Sequence, residues 1–271
     1  MNAYNGLTTL KDRLDVTGTA HDTALLALLV AASREIDDLT NRFFYVDATT
    51  RYFDGAGVVI FLDDLLSVTT FKLDEDGDAT YEVTMAVTDY VLYPLNEPTK
   101  VYAKISSNSN YGGFASGVRK GVEIAGDFGF GNSATPYSDS GVNVPAGNLA
   151  KGATSVILGT GEGAKFSAGN TIRIDTEQIY VSVVLVETLT LVRGVNGTID
   201  AAHTAPADID IYGYPEPIME ATLIQAMRWW KRRETAFQDV TGLPELGTVI
   251  QYKGLDPDVK LIVEAYRKRN G

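Results

Sequence analysis

A chain of 271 residues with no cysteine, two histidines and a formal charge of −12 excludes several chemistries at once. Without a thiol there is no disulfide framework, thiolate metal site or cysteine nucleophile, and two histidines leave no room for a three-histidine metal centre. An excess of 35 acidic over 23 basic residues opposes an all-over nucleic-acid clamp, whereas 45% hydrophobic content suits a globular chain of one large or two smaller domains.

Met1 is not followed by a basic segment leading into an apolar one, so no signal peptide is expected. The longest apolar run, Ala24 to Ala32, is far short of the roughly 20 residues of a spanning helix. Leu7, Leu10 and Leu14 suggest a short first helix. Leu25, Leu28, Leu29, Ala32, Ile36, Leu39 and Phe43 then recur every three or four residues, which predicts an amphipathic helix of about five turns. Arg34, Glu35, Asp37, Asp38 and Asn41 take its other face, and Thr19 with Asp22 resembles a capping pair.

From Arg51 the period changes to two. Strands are predicted over 51–53, 58–62, 68–73, 81–87, 89–93, 101–105 and 118–128, with Asp76-Gly77 as a hairpin turn. The Ser-, Asn- and Gly-rich stretch 106–117 reads as a flexible loop, and 132–147 as a linker. Further strands follow over 154–158, 170–175, 178–186, 188–193 and 208–212. Pro217 suits a helical first turn, and Met219, Leu223, Ala226, Met227, Trp230 and Phe237 form an apolar face that Gly242 and Pro244 terminate. A last helix begins with Asp256 as cap and Pro257 behind it, with Val259, Ile262, Val263 and Tyr266 as its stripe. Neither terminal helical region can bury its stripe alone. The expected fold is therefore α+β: N- and C-terminal helices packed in a small bundle with a first β-sheet (1–142 plus 214–271), and an inserted all-β domain (143–213).

Strings that could carry chemistry fail on context. Asp74, Asp76 and Asp78 alternate like calcium ligands, but Gly77 is at the fourth position and no acid follows at the twelfth, so a solvated hairpin tip is expected. Gly129-Phe130-Gly131 and Gly159-Thr160-Gly161 each open a G-x-G-x-x-A string, yet neither runs into a helix as a phosphate cradle requires. His21 begins a helix, and His203 lies in a loop near Asp200 and Asp208 with nothing to position a nucleophile, so ordinary hydrogen bonding is expected of both. Asn196-Gly197-Thr198 is a glycosylation string that a chain without a secretion signal would not use. No catalytic, cofactor or metal set is assigned, and no enzyme is expected.

Trp229-Trp230-Lys231-Arg232-Arg233 is an aromatic–basic cluster. Trp230 belongs to the buried face, while Trp229, about 100° around the helix, is a candidate interface anchor with Arg232 and Arg233. From Tyr214 onward nine basic residues meet eight acidic ones, so the acidity belongs to the first helices and the β-regions.

Leu10-Lys11-Asp12-Arg13-Leu14, Asp22 before Leu25-Leu26-Ala27-Leu28-Leu29, Ala31 to Ile36 and Thr40-Asn41-Arg42-Phe43-Phe44 resemble the N-terminal helices of tailed-phage head–tail connector (adaptor) proteins. Asp89-Tyr90-Val91-Leu92 and Pro217-Ile218-Met219-Glu220-Ala221 are similar to that family as well. The resemblance covers the first half and last quarter of the chain. The inserted unit departs from small adaptors and resembles a β-module of phage virion proteins, through Phe166, Gly169, Ile172, Ile174, Glu177, Leu189, Leu191, Arg193-Gly194, Gly197-Thr198 and His203.

The resemblance implies a structural virion protein at the neck, made in the host cytoplasm and needing neither cofactor nor membrane. Its partners would be further copies in a ring, commonly twelvefold, the portal protein above and a tail-side neck protein below. DNA would pass through the lumen without sequence-specific binding, and lumen carboxylates would repel its phosphates. In that family the C-terminal helix or tail engages the portal, which here points to Tyr266, Arg267, Lys268 and Arg269. The alternatives are a module binding carbohydrate or a host surface through the inserted unit, and a hydrolase using Asp or Glu pairs.

Overall fold

The computed structural model describes residues 2–97, 101–108, 112–131, 136–233, 240–243, 248–251 and 255–268, with side chains throughout except over 240–251. The class is α+β. Among the described residues, four α-helices, α1 (Leu7–Leu14), α2 (Asp22–Thr40), α3 (Glu216–Arg232) and α4 (Pro257–Tyr266), accompany two six-stranded sheets and a separate two-stranded one. Two compact units result. The first holds 1–41, 137–193 and 200–271; the second holds 42–136 and 194–199.

In the first unit the α2 stripe is buried as its period requires: Leu25, Leu29, Ala32 and Ile36 are inaccessible. Leu25, Leu29 and Ala32 pack with Leu10 of α1 and with Leu223, Ala226 and Trp230 of α3, so segments from distant parts of the chain close one core. Each such Leu or Ile contributes about 1.5–3 kcal/mol. Asn41, at φ 53°, ends α2 in the left-handed conformation. The expected Thr19–Asp22 cap does not form: His21 is the N-cap residue, without a side-chain capping bond, and Asp22 pairs with Lys11 at 2.6 Å. The Asp256 cap of α4 does form, its carboxylate accepting from the Asp258 amide at 3.0 Å while also pairing with Arg228 of α3 at 3.1 Å.

The same unit contains the second sheet, in the order β7 (Tyr137–Asn143), β12 (Asp208–Tyr212), β9 (Thr171–Ile174), β10 (Glu177–Leu185), β11 (Thr188–Val192) and β8 (Ser155–Ile157), all neighbours antiparallel. The helices thus group with the second sheet, unlike the expected division into 1–142 with 214–271 and 143–213. Hydrogen bonds account for the grouping. The Leu7 amide donates to the Ala168 carbonyl at 2.8 Å, the Thr8 amide to Ser167 Oγ at 2.9 Å, and the Thr171 hydroxyl to Asn2 at 3.0 Å. The 132–147 stretch is not a linker throughout. Residues 137–143 form an edge strand whose Ser, Asp and Gly face outward while Val142 is buried.

The second unit holds the first sheet, in the order β1 (Asp47–Phe53), β6 (Val122–Phe128), β2 (Val59–Leu73), β5 (Tyr102–Ser107) and β4 (Tyr90–Tyr93), with β3 (Val83–Thr84) paired to β2. Two predicted strands, 58–62 and 68–73, are one 15-residue strand whose register shifts between Phe61 and Thr70 against its neighbours. Such bulges interrupt the period of two, which is why the sequence reads as two strands. The 106–117 loop is pinned where described: Phe114 is wholly buried, 5.2 Å from the Phe71 ring, and exchanges backbone hydrogen bonds with Ala56. Phe237 lies outside the described residues. Gly242 lies inside a strand, since β13 (Val240–Leu243) pairs antiparallel with β14 (Thr248–Gln251).

One half-buried acid makes stability of the first unit pH-dependent. Burial pushes the Asp37 carboxyl up to about 7, against the opposing pull of Arg34 at 3.1 Å and a short hydrogen bond from the Tyr4 hydroxyl. Between the ordinary carboxyl range and pH 7 the folded chain keeps a proton that the unfolded chain has released, so this stabilisation is complete below about pH 4 and is lost as pH rises through 7. Denaturant unfolding should show a contribution on the order of 2–4 kcal/mol lost between pH 4 and pH 8, and Asp37→Asn should remove that slope.

Candidate functional site

The aromatic–basic residues of α3 assemble as a concave surface. Trp229, Trp230, Arg232 and Arg233 line a groove of about 480 Å³ with Ala24, Ala27 and Leu28 of α2. Trp230 is buried at the base, with the His21 ring edge-on at 5.2 Å and the Arg233 guanidinium 3.2 Å from its centroid. Trp229 is half-buried at the side, as its position around the helix requires. The groove therefore offers a flat aromatic side wall and cationic rims, a combination enriched at protein interfaces.

The other candidates sit elsewhere. The Lys268 amide donates to the Thr40 carbonyl at 2.8 Å, which fixes the end of α4 at the C-terminus of α2. Tyr266 is half-buried there, its hydroxyl pKa raised by that burial, and exposed Arg267 pairs with Glu264 at 3.6 Å. Arg269 lies outside the described residues. The 12–16 residues of α2 between Leu28 or Ala24 and Thr40 span about 18–24 Å at 1.5 Å per residue, so the candidates form two patches at the two ends of one helix.

The motifs set aside in the sequence each receive an internal partner. Gly159-Thr160-Gly161 begins an anion-binding turn, and the anion is Glu187. Its carboxylate accepts from the Gly161 and Gly163 amides at 2.6 and 2.8 Å, and the amides of Gly163 first, then Gly161, hold its pKa below the usual range. Gly161 adopts φ +83°, and a Cβ on Gly163 would fall 1.9 Å from the Val186 carbonyl oxygen, so both positions require glycine. At the other string, the Gly129 and Phe130 amides donate to the carbonyls of Asp64 and Phe43.

His203 is 2% exposed and sits between two acids, but not those adjacent in sequence. Nδ1 is 2.7 Å from Asp175 and Nε2 2.8 Å from Glu177. Both ring nitrogens are therefore occupied, and neither is left to activate a nucleophile. Glu177 also receives a bidentate pair from Arg193 at 2.8 and 2.7 Å. Asp200 lies 3.1 Å from the same guanidinium, which donates further to the Ala150 and Ala201 carbonyls. Such a buried network holds loops to a sheet. Removing one partner leaves buried charge uncompensated, so Arg193→Met should lower the stability of this unit by about 3–5 kcal/mol in denaturant unfolding.

Asp74, Asp76, Asp78 and Glu82 bring carboxylate oxygens within 4.8 Å of one another, a spacing that a cation could bridge. Asp74, however, is buried, and its two oxygens accept from the Gly77 and Ala79 amides at 2.7 and 2.9 Å, which is the bonding of a turn.

One surface feature corresponds to no motif. A groove of about 1030 Å³ lies between α1–α2 and β10, lined by Leu26, Val30, Phe166, Val183, Val184 and Val186 among others. Its signal was present in Ala24 to Ala32, a run apolar on every side of the helix instead of along one stripe.

No family model and no curated protein matches this chain. Among solved structures, it is similar to a chain from a structure described as the neck of an empty GTA particle computed with C6 symmetry. Sequence identity is 14%, coverage is 99% of this chain and 91% of that one, and the TM-score is 0.41. A likeness of that size defines neither fold nor function. No helix among the described residues is long and apolar enough to cross a membrane.

Proposed function

We propose that the chain is a structural protein of a tailed-phage or phage-like virion, a connector that forms a ring beneath the portal, extends the DNA tunnel and offers a platform to the next neck or tail protein. The supporting observation is the closure of α1 and α2, whose sequences resemble connector helices, with α3 of the C-terminal region around Leu10, Leu25, Leu29, Leu223, Ala226 and Trp230. The resemblance supplies the ring and its partners; the helical core supplies a rigid body on which to build them.

In this reading the α4 patch of Tyr266, Arg267 and Lys268, with Arg269 beyond it, engages the portal. The α3 patch of Trp229, Arg232 and Arg233 is a second contact on the same body. The acidic excess lies outside the near-neutral C-terminal region, and carboxylates facing a lumen would let DNA slide without adhering. No enzymatic step is needed, since the motif residues that could begin one are engaged with the fold itself.

Truncation after Val263 keeps the buried Val259 and Val263 while removing the patch. It should lower portal binding at least tenfold, measured by co-sedimentation, with the circular dichroism spectrum unchanged. Unaltered binding refutes the assignment of the patch. Electron microscopy of the full chain with its portal should show a ring with an acidic lumen; a basic lumen contradicts the tunnel reading.

A further inference from the structure

The densest acidic run of the chain and the basic end of α3 lie on surfaces that match in charge. Asp74, Glu75, Asp76, Asp78 and Glu82 follow one another with no basic residue between them. Asp74 is buried and uses both oxygens on the Gly77 and Ala79 amides, so the turn is set from inside. Glu75, Asp76, Asp78 and Glu82 are exposed around it. Asp76 and Asp78 each accept one amide hydrogen bond within the turn, from Asp78 at 3.2 Å and from Thr80 at 2.7 Å. Carboxylate oxygens of Asp74, Asp76, Asp78 and Glu82 lie within 4.8 Å of one another, and like charges so close repel. On the adjoining loop, Arg119 faces Asp54 at 4.0 Å. The turn is thus a pre-formed, exposed group of anions.

The groove beside α3 is its counterpart. Lys231, Arg232 and Arg233 are consecutive at the end of the helix, with Lys231 and Arg233 exposed and Arg232 half-buried. Arg232 and Arg233 line the recess, and its other walls are Trp229, Trp230 and the Ala24, Ala27 and Leu28 side chains of α2. The Arg233 guanidinium stacks on Trp230, and a stacked guanidinium still donates in its own plane. Apolar walls strengthen a charge-assisted hydrogen bond by excluding water. A volume of about 480 Å³ falls among small-molecule pockets, roughly 300–1,000 Å³, so the recess admits the tip of a turn and no larger element. Such a recess selects an anion carried on a short segment.

We propose that the acidic turn Asp74–Glu82 of one copy docks in the α3 groove of the next, where Arg232 and Arg233 bridge the crowded carboxylates. Charge complementarity points to a second copy as the occupant. A chain with a net charge of −12 repels its own kind except where opposite charges meet, and this turn is where its acids are densest. The turn belongs to the second compact unit and the groove to the first. Donor and acceptor are therefore different surfaces, so each bound pair still presents one of each. Contacts of this heterologous kind generate a ring when the rotation closes. The inference rests on the ring reading above and specifies the contact that would build the ring.

Glu75→Arg with Glu82→Arg reverses exposed charge on the turn and leaves the Asp74 bonds intact. Arg232→Glu with Arg233→Glu reverses the groove. Each pair should weaken self-association at least tenfold in sedimentation at low ionic strength, with the circular dichroism spectrum unchanged. The turn reversal also lessens the acidic excess, so nonspecific repulsion alone would strengthen association. Association that strengthens or stays the same overturns the proposal. All four substitutions in one chain should restore association to within about threefold of the original, and failure to restore it overturns the contact. The absence of native cysteine allows a direct check. Ala79→Cys and Ala27→Cys, both at exposed positions, are mixed as separate proteins under mild oxidation. The mixture should yield at least ten times more disulfide-linked dimer than either protein alone. No cross-link, or a disulfide that closes only within single chains of the double variant, overturns the proposal. Rings that form without the cross-link remove this contact and leave the ring reading standing. Cross-linked chains that close into no ring, alone or on the portal, uphold the contact and sink the ring reading.

Discussion

A single helix that cannot exist alone organises the first unit. α2 has inaccessible leucine and alanine along one side, and the side chains that cover them come from α1 before it and from α3, far along the sequence. The cover is non-local, so the intervening strands must be in place, or at least must not obstruct, before the helices close. Bonds from Leu7, Thr8 and Asn2 to Ala168, Ser167 and Thr171 then tie the amino-terminal segment to the second sheet. The stripe on α2 thereby determines which pieces of sequence belong to one compact body.

A second regularity is that residues suited to chemistry are engaged internally. The glycine turn that could cradle a phosphate is filled by Glu187, and His203 is held at both nitrogens by Asp175 and Glu177. Asp74 completes a turn with two amides. Each arrangement resembles a site in type and differs from one in having its valences met by its own chain. The grooves on the surface are of another kind: one between α2 and β10 is apolar, and one beside α3 is aromatic and basic.

The sequence was most informative where a period ran uninterrupted. The α2 stripe, the Asp256 cap, the inward position of Trp230 and the α+β class all follow from local spacing. It was least informative where tertiary partners overrode local signals. β7 is written in linker residues because it is an edge strand with only Val142 turned strongly inward. β2 reads as two strands because bulges break its alternation. For the candidate site, the α3 cluster was legible because its members are adjacent in sequence. Its separation from Tyr266 to Lys268 was not, because that depends on where α4 meets α2. The partners of His203 were equally hidden, since Asp175 and Glu177 reach it only through the fold of the sheet.

Placing the two basic patches at opposite ends of α2 gives the surface a fixed gauge. Loops change length freely in evolution and flex in solution, but a helix sets the distance between its ends by the number of its residues. Any partner touching both patches must match that gauge. Inserting one helical turn would move them apart by about 5.4 Å while leaving every contacting side chain unchanged. Selection on such a contact would therefore act on the length of α2, a property that no individual residue displays.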